Sequence, residues 1–189
     1  ALAHVGDETT VPLILRRLAD PDETLANRVA AIRALGRIGQ GRAVPALVSQ
    51  FHDALPEIPR LARKPGQPPV RRAVVDALWD LRHAAPRAAL LPTLHLALVD
   101  RDDSVVRRAA IVCGNLRDAS ALIFLRRVLL QRSLDLRNVA AWAIGKIGDR
   151  RGMIHLMEAL PRVRSGRLLN NISFALKRLK APDLWSHLE

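Results

Sequence analysis

A short sequence recurs along this chain, and this repetition limits the possible folds more than any other feature does. It reads Ala-Leu-Ala-His-Val-Gly-Asp at residues 1–7, Ala-Leu-Gly-Arg-Ile-Gly-Gln at 34–40 and Ala-Ile-Gly-Lys-Ile-Gly-Asp at 143–149. Self-similarity at a period of a few tens of residues indicates a chain of stacked structural repeats. With three weaker copies included, the equivalent positions are Leu2, Leu35, Leu78, Cys113, Ile144 and Leu176, which lie 33, 43, 35, 31 and 32 residues apart.

Each period contains two helical patterns. In the first, apolar residues recur at the spacing of one helix face, as at Val11, Ile14 and Leu18. The second is rich in alanine, which lets neighbouring helices approach closely, and in two copies it ends at a glycine, Gly39 or Gly148. Proline is expected at the start of the first helix, where its missing N–H is not needed. The prolines assigned to this position are Pro12, Pro45 and Pro92.

Two antiparallel helices in each period must stack on their neighbours, because each has an apolar face too broad for its partner to bury. We therefore predict an all-α protein, a single α-solenoid of about five stacked antiparallel helix pairs. The composition agrees, since only 3% of the 189 residues are aromatic and aliphatic side chains must form the core. The predicted repeats are 8–40, 41–86, 87–118, 119–149 and 150–181, between the end of a truncated repeat at 1–7 and a tail at 182–189.

The repeated sequences resemble HEAT repeats, in particular the short HEAT-like type named after phycobilin lyases. The resemblance lies in a Pro-x-Leu in the first helix, in Asp-Ser-Val-Val-Arg-Arg-Ala-Ala at 103–110 and in the helix ends quoted above. It covers nearly the whole chain. It implies an α-solenoid whose second helices line the concave side.

Two segments depart from the repeat. Ala1 aligns with Ala34, well inside a second helix, so we expect further residues upstream of Ala1. The longest period contains an insertion at 55–69 with five prolines, which disfavour helix. This insertion is interpreted either as a tolerated surface insertion or as a docking loop. Its cations are Arg60, Arg63 and Lys64.

The sequence contains no catalytic or cofactor motif. It has no phosphate-binding glycine loop, Gly-x-Ser-x-Gly, His-Glu-x-x-His or Cys-x-x-Cys. His155 and Glu158 could share a helix face, but they supply too few ligands for a metal. Cys113 occupies a core position without a second cysteine, so a reduced, cytoplasmic protein is the default expectation. We predict that the protein is not an enzyme and has no cofactor, metal or membrane-spanning segment.

Because the resemblance places the second helices on the concave side, one set of their side chains is expected to face a ligand. Trp142 stands out because its equivalent in an earlier repeat is Arg33, a solvent position where an indole has no packing reason to be. An exposed aromatic residue beside arginine is typical of binding sites. The alternative is that Trp142 packs on the helix of a neighbouring repeat. The predicted concave residues are Arg33, Arg37, Asp76, Arg108, Trp142, Lys146 and Lys177.

Basic residues outnumber acidic ones by 30 to 18, which gives a net charge of +12. The connections between repeats carry a cation at every step and predict a basic edge along the array. The arginine excess could equally arise from a genome that writes arginine for lysine, or from cations that offset helix dipoles. The edge residues are Arg42, Arg87, Arg117, Arg150 and Arg151.

These patterns favour a non-catalytic interaction module or scaffold that binds a protein partner, an acidic one, through the concave groove and the basic edge. The main alternative is a nucleic-acid-binding protein, whose affinity would fall steeply with salt. The resemblance also implies two enzymatic alternatives that we favour less. One is a DNA glycosylase that holds a damaged nucleotide with Asp76, Arg108 and Trp142, and the other is a bilin lyase.

Overall fold

The computed structural model describes residues 10–55 and 66–179, and every regular element in these ranges is helical. This confirms the predicted all-α class. The chain divides into an N-terminal unit, residues 1–97, and a C-terminal unit, residues 98–189. The α-helices are α1 (Thr10–Leu18), α2 (Leu25–Ile38), α3 (Val44–Asp53), α4 (Pro68–Asp80), α5 (Arg87–Leu98), α6 (Asp103–Leu116), α7 (Leu122–Gln131), α8 (Leu134–Ile147), α9 (Gly152–Ala159) and α10 (Gly166–Arg178).

Helices of successive repeats pack side by side within each unit. In the N-terminal unit α2 packs against α4, while α1 packs on α2 and α3 on α4. In the C-terminal unit α8 packs against both α6 and α10, and α7 contacts α8 and α9. This serial packing of helix pairs is the α-solenoid that the repeat predicts. The repeated anchor positions lie in the core, at 4% exposure or less: Leu35, Leu78, Cys113, Ile144 and Leu176.

Glycines inside the second helices make this close packing possible. A Cβ atom at Gly36 would lie 2.9 Å from the Cα atom of Ala77, and one at Gly145 would lie 2.8 Å from the Cβ atom of Ala175. Interiors are close-packed, so there is no space for an added methyl group at either position. The expectation that small residues bring neighbouring second helices together is confirmed in both units.

Three of the second helices, α2, α6 and α8, end in the left-handed backbone conformation. Gly39 and Gly148 have φ values of 78° and 80°, and their N–H groups donate to the carbonyls of Leu35 and Ile144. Glycine adopts this conformation without the steric penalty of a Cβ atom. At the end of α6, Arg117 takes the same conformation with a φ of 51°. An L-residue other than glycine is strained there.

Replacing Arg117 with glycine is therefore expected to raise the free energy of unfolding by about 1 kcal/mol, because it removes the left-handed strain. The matched change Gly148→Ala introduces this strain at the end of α8 and is expected to lower the free energy of unfolding by about 1 kcal/mol. Urea denaturation followed by helical circular dichroism measures both. A less stable Arg117→Gly variant would contradict the expectation.

The prediction that Pro92 lies at the start of a helix is wrong. α5 begins at Arg87, so Pro92 lies inside the helix. Proline has no N–H to donate to the carbonyl of Ala88, and its ring crowds that carbonyl. The turn before Pro92 forms nevertheless because alanine and leucine, which favour helix, occupy positions 88–91. Pro45, by contrast, lies in the first turn of α3, as predicted.

Several arginines stabilise turns. Arg28, Arg71 and Arg137 occupy equivalent positions of the repeat, and each guanidinium donates to carbonyls at or after the end of the preceding helix. The bond from Arg71 to the Ala54 carbonyl is 2.6 Å long. Part of the arginine excess thus has a structural role.

Candidate functional site

A groove of about 380 Å³ opens on the second helices of the C-terminal unit; we call it the C-terminal groove. Its apolar lining consists of Ile111 on α6 and of Val139 and Trp142 on α8. Trp142 is 38% exposed. A Cβ atom added at Gly114 would lie 3.1 Å from the Cζ3 atom of this indole. The missing side chain at Gly114 therefore makes room for the indole against α6. Trp142 both contacts the neighbouring helix and remains accessible.

Two asparagines join α8 to α10 at this groove. The side chain of Asn138 is nearly buried, and its Nδ2 atom donates to the carbonyl of Leu134 at 2.9 Å. Its Oδ1 atom accepts a hydrogen bond of 2.7 Å from Nδ2 of Asn171. A buried amide needs both kinds of partner. Because Asn138 has them, it holds the polar wall of the groove in one arrangement, and Asn171 remains partly exposed at the surface.

Charged side chains surround the apolar floor of the C-terminal groove. Arg107 on α6 forms an ion pair with Asp135 on α8, with 3.7 Å between Nη2 and Oδ2. Both side chains are exposed, and such a pair contributes at most about 1 kcal/mol. Arg167 on α10 also lines the groove, is exposed, and forms no ion pair with any residue in the described ranges. The groove thus presents two guanidinium groups and one carboxylate.

A second aromatic side chain lies beside the C-terminal groove. Phe174 on α10 is 60% exposed and lines a small cleft together with Trp142, Lys146 and Arg178. The guanidinium carbon of Arg178 lies 6.0 Å from the centre of the phenyl ring, and its Nε atom donates to the carbonyl of Gly145 at 3.2 Å. Aromatic residues flanked by cations therefore continue along the surface of α8 and α10.

The predicted concave residues fall into two sets, one in each unit. In the C-terminal unit Trp142 and Lys146 line the same cleft, Lys177 is exposed on α10, and Arg108 is partly buried on α6. In the N-terminal unit, Arg33 and Arg37 are exposed on α2, and Asp76 is partly buried on the adjacent α4. The three residues of the glycosylase alternative, Asp76, Arg108 and Trp142, are divided between the two units. The assignment of all seven to a binding surface stays a prediction.

Sequence reasoning missed most of the lining of the C-terminal groove. The shift of 31 residues that takes Gly114 to Gly145 also takes Ile111 to Trp142 and Arg107 to Asn138. Arg107 and Ile111, the counterparts of Asn138 and Trp142, line the groove, whereas Arg108, the counterpart of Val139, does not. The glycine register could have found Ile111, but it does not separate Arg107 from Arg108. The missed residues are Arg107, Ile111, Asp135, Asn138, Val139, Arg167, Asn171 and Phe174.

The predicted basic edge has several kinds of environment. Arg42 and Arg87 are exposed in the N-terminal unit, and each interacts with at least one other group of the chain. In the C-terminal unit Arg117 and Arg150 are exposed, whereas Arg151 pairs with Asp149 at 2.7 Å. This pairing lowers the pKa of Asp149 to about 2. The insertion cations Arg60, Arg63 and Lys64 lie outside the described residues.

Other titratable groups have structural surroundings. Cys113 is fully buried, and this burial raises the pKa of its thiol, which disfavours the reactive thiolate. Glu158 accepts two hydrogen bonds of 2.6 Å from Arg126, which lower the pKa of the carboxyl group. Burial and the Arg126 charge lower the pKa of the neighbouring His155. Within residues 10–55 and 66–179, no three potential metal ligands cluster together.

The serial packing of helix pairs defines the protein as a helical repeat solenoid. A family model for HEAT repeats matches residues 1–64 and 58–145, and one for the PBS lyase HEAT-like repeat matches residues 136–160. The chain belongs to the HEAT-repeat family. A comparison with curated proteins found no match. None of the described helices is both long and apolar enough to cross a bilayer.

Solved structures with a similar fold include two designed repeat proteins. A designed armadillo repeat protein in complex with the peptide (KR)4 has a TM-score of 0.61 and 20% identity, over 89% of this chain and 81% of that one. A second designed armadillo repeat protein has a TM-score of 0.58 and 20% identity, over 90% and 82% of the two chains. An engineered protein has a TM-score of 0.57 and 17% identity, over 91% and 80%. These likenesses establish the solenoid fold.

Proposed function

We propose that this HEAT-repeat chain is a non-catalytic interaction module that binds an acidic protein segment through its second-helix surface, with the basic edge contributing long-range attraction. The observation that carries the proposal is the accessible indole of Trp142 at the floor of a groove flanked by guanidinium groups. Tryptophan and arginine are the residues that contribute most often to binding energy at protein interfaces. The proposal requires no reacting group.

The charge of the chain supports an acidic partner. The similar designed armadillo repeat protein is in complex with a basic peptide, (KR)4. The present chain has a net charge of +12, and its α8 and α10 contain five basic residues and Asp135 as their acidic residue. Electrostatic complementarity selects partners of the opposite sign and speeds their association. The same kind of fold is therefore proposed to bind a segment of opposite charge.

Fluorescence anisotropy tests this proposal with three labelled probes: a peptide of alternating glutamate and leucine, its lysine and leucine counterpart, and a DNA duplex of arbitrary sequence. We expect the glutamate peptide to bind more tightly than the lysine peptide by roughly tenfold or more. Its affinity is expected to fall as salt screens the exposed charges. Absence of binding to the glutamate peptide at low salt would overturn the proposal. Tighter binding of the duplex, with a steep salt dependence, would favour the nucleic-acid alternative.

A further inference from the structure

We propose that the C-terminal groove binds an acidic segment in which one apolar side chain lies between two carboxylates, and that Asp135 competes with one of these carboxylates for Arg107. This inference rests on the proposed function and specifies the ligand chemistry of its site. It follows from three features of the groove: an apolar floor, two arginines of unlike surroundings, and one carboxylate of the chain itself.

The apolar floor offers a place for an apolar side chain of the ligand. Ile111, Val139 and Trp142 come from two adjacent helices and form a continuous apolar lining within the volume of about 380 Å³. An aliphatic side chain placed there removes apolar surface from water on both partners. The amides of Asn138 and Asn171 limit the floor on the α10 side. Because polar and charged side chains border the floor, the ligand is expected to place an apolar residue there between polar ones.

Arg107 differs from the arginines that stabilise turns. The turn-binding position of Arg28, Arg71 and Arg137 corresponds in α6 to Val106, which is fully buried. Arg107 lies one residue further, a rotation of about 100° around the helix. Its guanidinium is exposed at the groove and reaches Asp135 across 3.7 Å. It is thus placed to bind a carboxylate rather than a turn carbonyl.

Asp135 occupies the place of a ligand carboxylate. It is an acidic residue of the groove lining, its side chain is 71% exposed, and its distance from Arg107 is longer than that of a close hydrogen-bonded pair. An incoming carboxylate that approaches Arg107 is repelled by Asp135 and must displace it. Arg167, on the other side of the groove, forms no ion pair within the described part of the chain and binds the second carboxylate without such competition.

The first test removes the competing carboxylate. Asp135→Asn is expected to tighten binding of a capped peptide with one leucine between two glutamates by roughly three- to fivefold, the worth of an exposed ion pair. Asp22→Asn, a change of the same charge on an exposed loop of the N-terminal unit, is the matched control and is expected to have less effect. Asp135 lies in the first turn of α8, where its charge favours the helix, so the same variant is expected to be slightly less stable. Unchanged or weaker binding, or an equal gain in the control, would overturn the proposal.

The second test exchanges charges between groove and peptide. Arg107→Glu and Arg167→Glu are each expected to weaken binding of the leucine-centred peptide by roughly tenfold. Each variant should regain affinity for a peptide with lysine at one of the two glutamate positions, and the two variants should require opposite positions. Arg127→Glu, an exposed reversal on α7, is the control that should change binding least. Recovery of both variants with the same peptide, or of neither, would overturn the proposal.

These outcomes separate the inference from the function on which it rests. If the alternating glutamate and leucine peptide binds but the groove variants do not alter binding, the interaction module stands and the assignment of its ligand to the C-terminal groove fails. If no acidic peptide binds, both fail. If the DNA duplex displaces the leucine-centred peptide and responds to the same variants, a nucleic acid is the occupant and the proposed peptide chemistry is wrong.

Discussion

Replacing Trp142 with alanine is expected to weaken binding of the alternating glutamate and leucine peptide by roughly thirtyfold, equivalent to the loss of about 2 kcal/mol at an interface hot spot. The physical reason is the position of the indole. It is the aromatic residue of the apolar floor, lies close to Gly114 of α6, and still presents more than a third of its surface to solvent. An alanine leaves the floor too shallow to cover an apolar ligand side chain.

The structure predicts a small effect of the same substitution on folding. Because Trp142 is substantially exposed, its removal is expected to lower the free energy of unfolding by about 1 kcal/mol, well below the loss for a buried tryptophan. Titration calorimetry measures the affinity, and urea denaturation measures the stability of the same preparation. A large loss of stability would mean that the indole has a mainly structural role. Full affinity in the variant would exclude the groove as the binding site.

Trp79→Ala is the matched control for this substitution. Trp79 lies on α4 in the N-terminal unit, where the guanidinium carbon of Arg82 is 4.0 Å from the centre of the ring. Arg82 also donates to the Trp79 carbonyl at 2.9 Å. The indole is partly buried and takes part in a local cation–π contact. Its loss is expected to lower stability while leaving the peptide affinity within roughly twofold of the original value.

Gly145→Val is expected to lower the free energy of unfolding by about 3 kcal/mol, the upper range for overpacked sites. A Cβ atom at this position would lie 2.8 Å from the Cβ atom and 2.9 Å from the Cα atom of Ala175. Part of the obstacle is the backbone of α10, which no side-chain rotation can move. The helices α8 and α10 must therefore separate, and their shared apolar contacts weaken.

Gly166→Val is the control that separates the steric overlap at Gly145 from the change in helix propensity. Gly166 is the first residue of α10, and a Cβ atom there would meet no other atom within 4 Å. This variant is expected to change stability by less than about 0.5 kcal/mol, as ordinary surface substitutions do. Denaturation of both variants under the same conditions provides the comparison. Equal stabilities would show that α8 and α10 do not pack as closely as the structure indicates.

Much of the fold could be read from local sequence because its determinants are local or repeat at a fixed spacing. The apolar spacing around Val11 and Leu18 defines a helix face, and glycine at 39 and 148 marks a helix end by backbone sterics alone. The repeated anchors lie in the core, since a position that recurs at the same place in every helix pair meets the same neighbours. Pro92 is the exception. Its helix begins at Arg87, five residues before it, whereas proline is usually found in the first turn of a helix.

The candidate site was less predictable because it depends on helix orientation. Successive residues of a helix are rotated by about 100° around its axis. Arg107 therefore lines the groove, whereas the next residue, Arg108, is partly buried and does not. Trp142 was singled out from the sequence as an aromatic residue at a solvent position. Its packing on a neighbouring helix was the alternative considered from the sequence, whereas the space that Gly114 provides for it was not predicted.

The sequence by itself determined that the chain is a series of helix pairs, that α2 and α8 end at Gly39 and Gly148, and which repeated positions enter the core, because capping, helix periodicity and small residues act within one repeat. Only the tertiary structure decided that Asn138 bonds to Asn171, that Arg107 faces Asp135, and that an indole, two guanidinium groups and one carboxylate share a groove. Such contacts join residues of different repeats. Their distances depend on how closely, and at what rotation, one helix packs against the next.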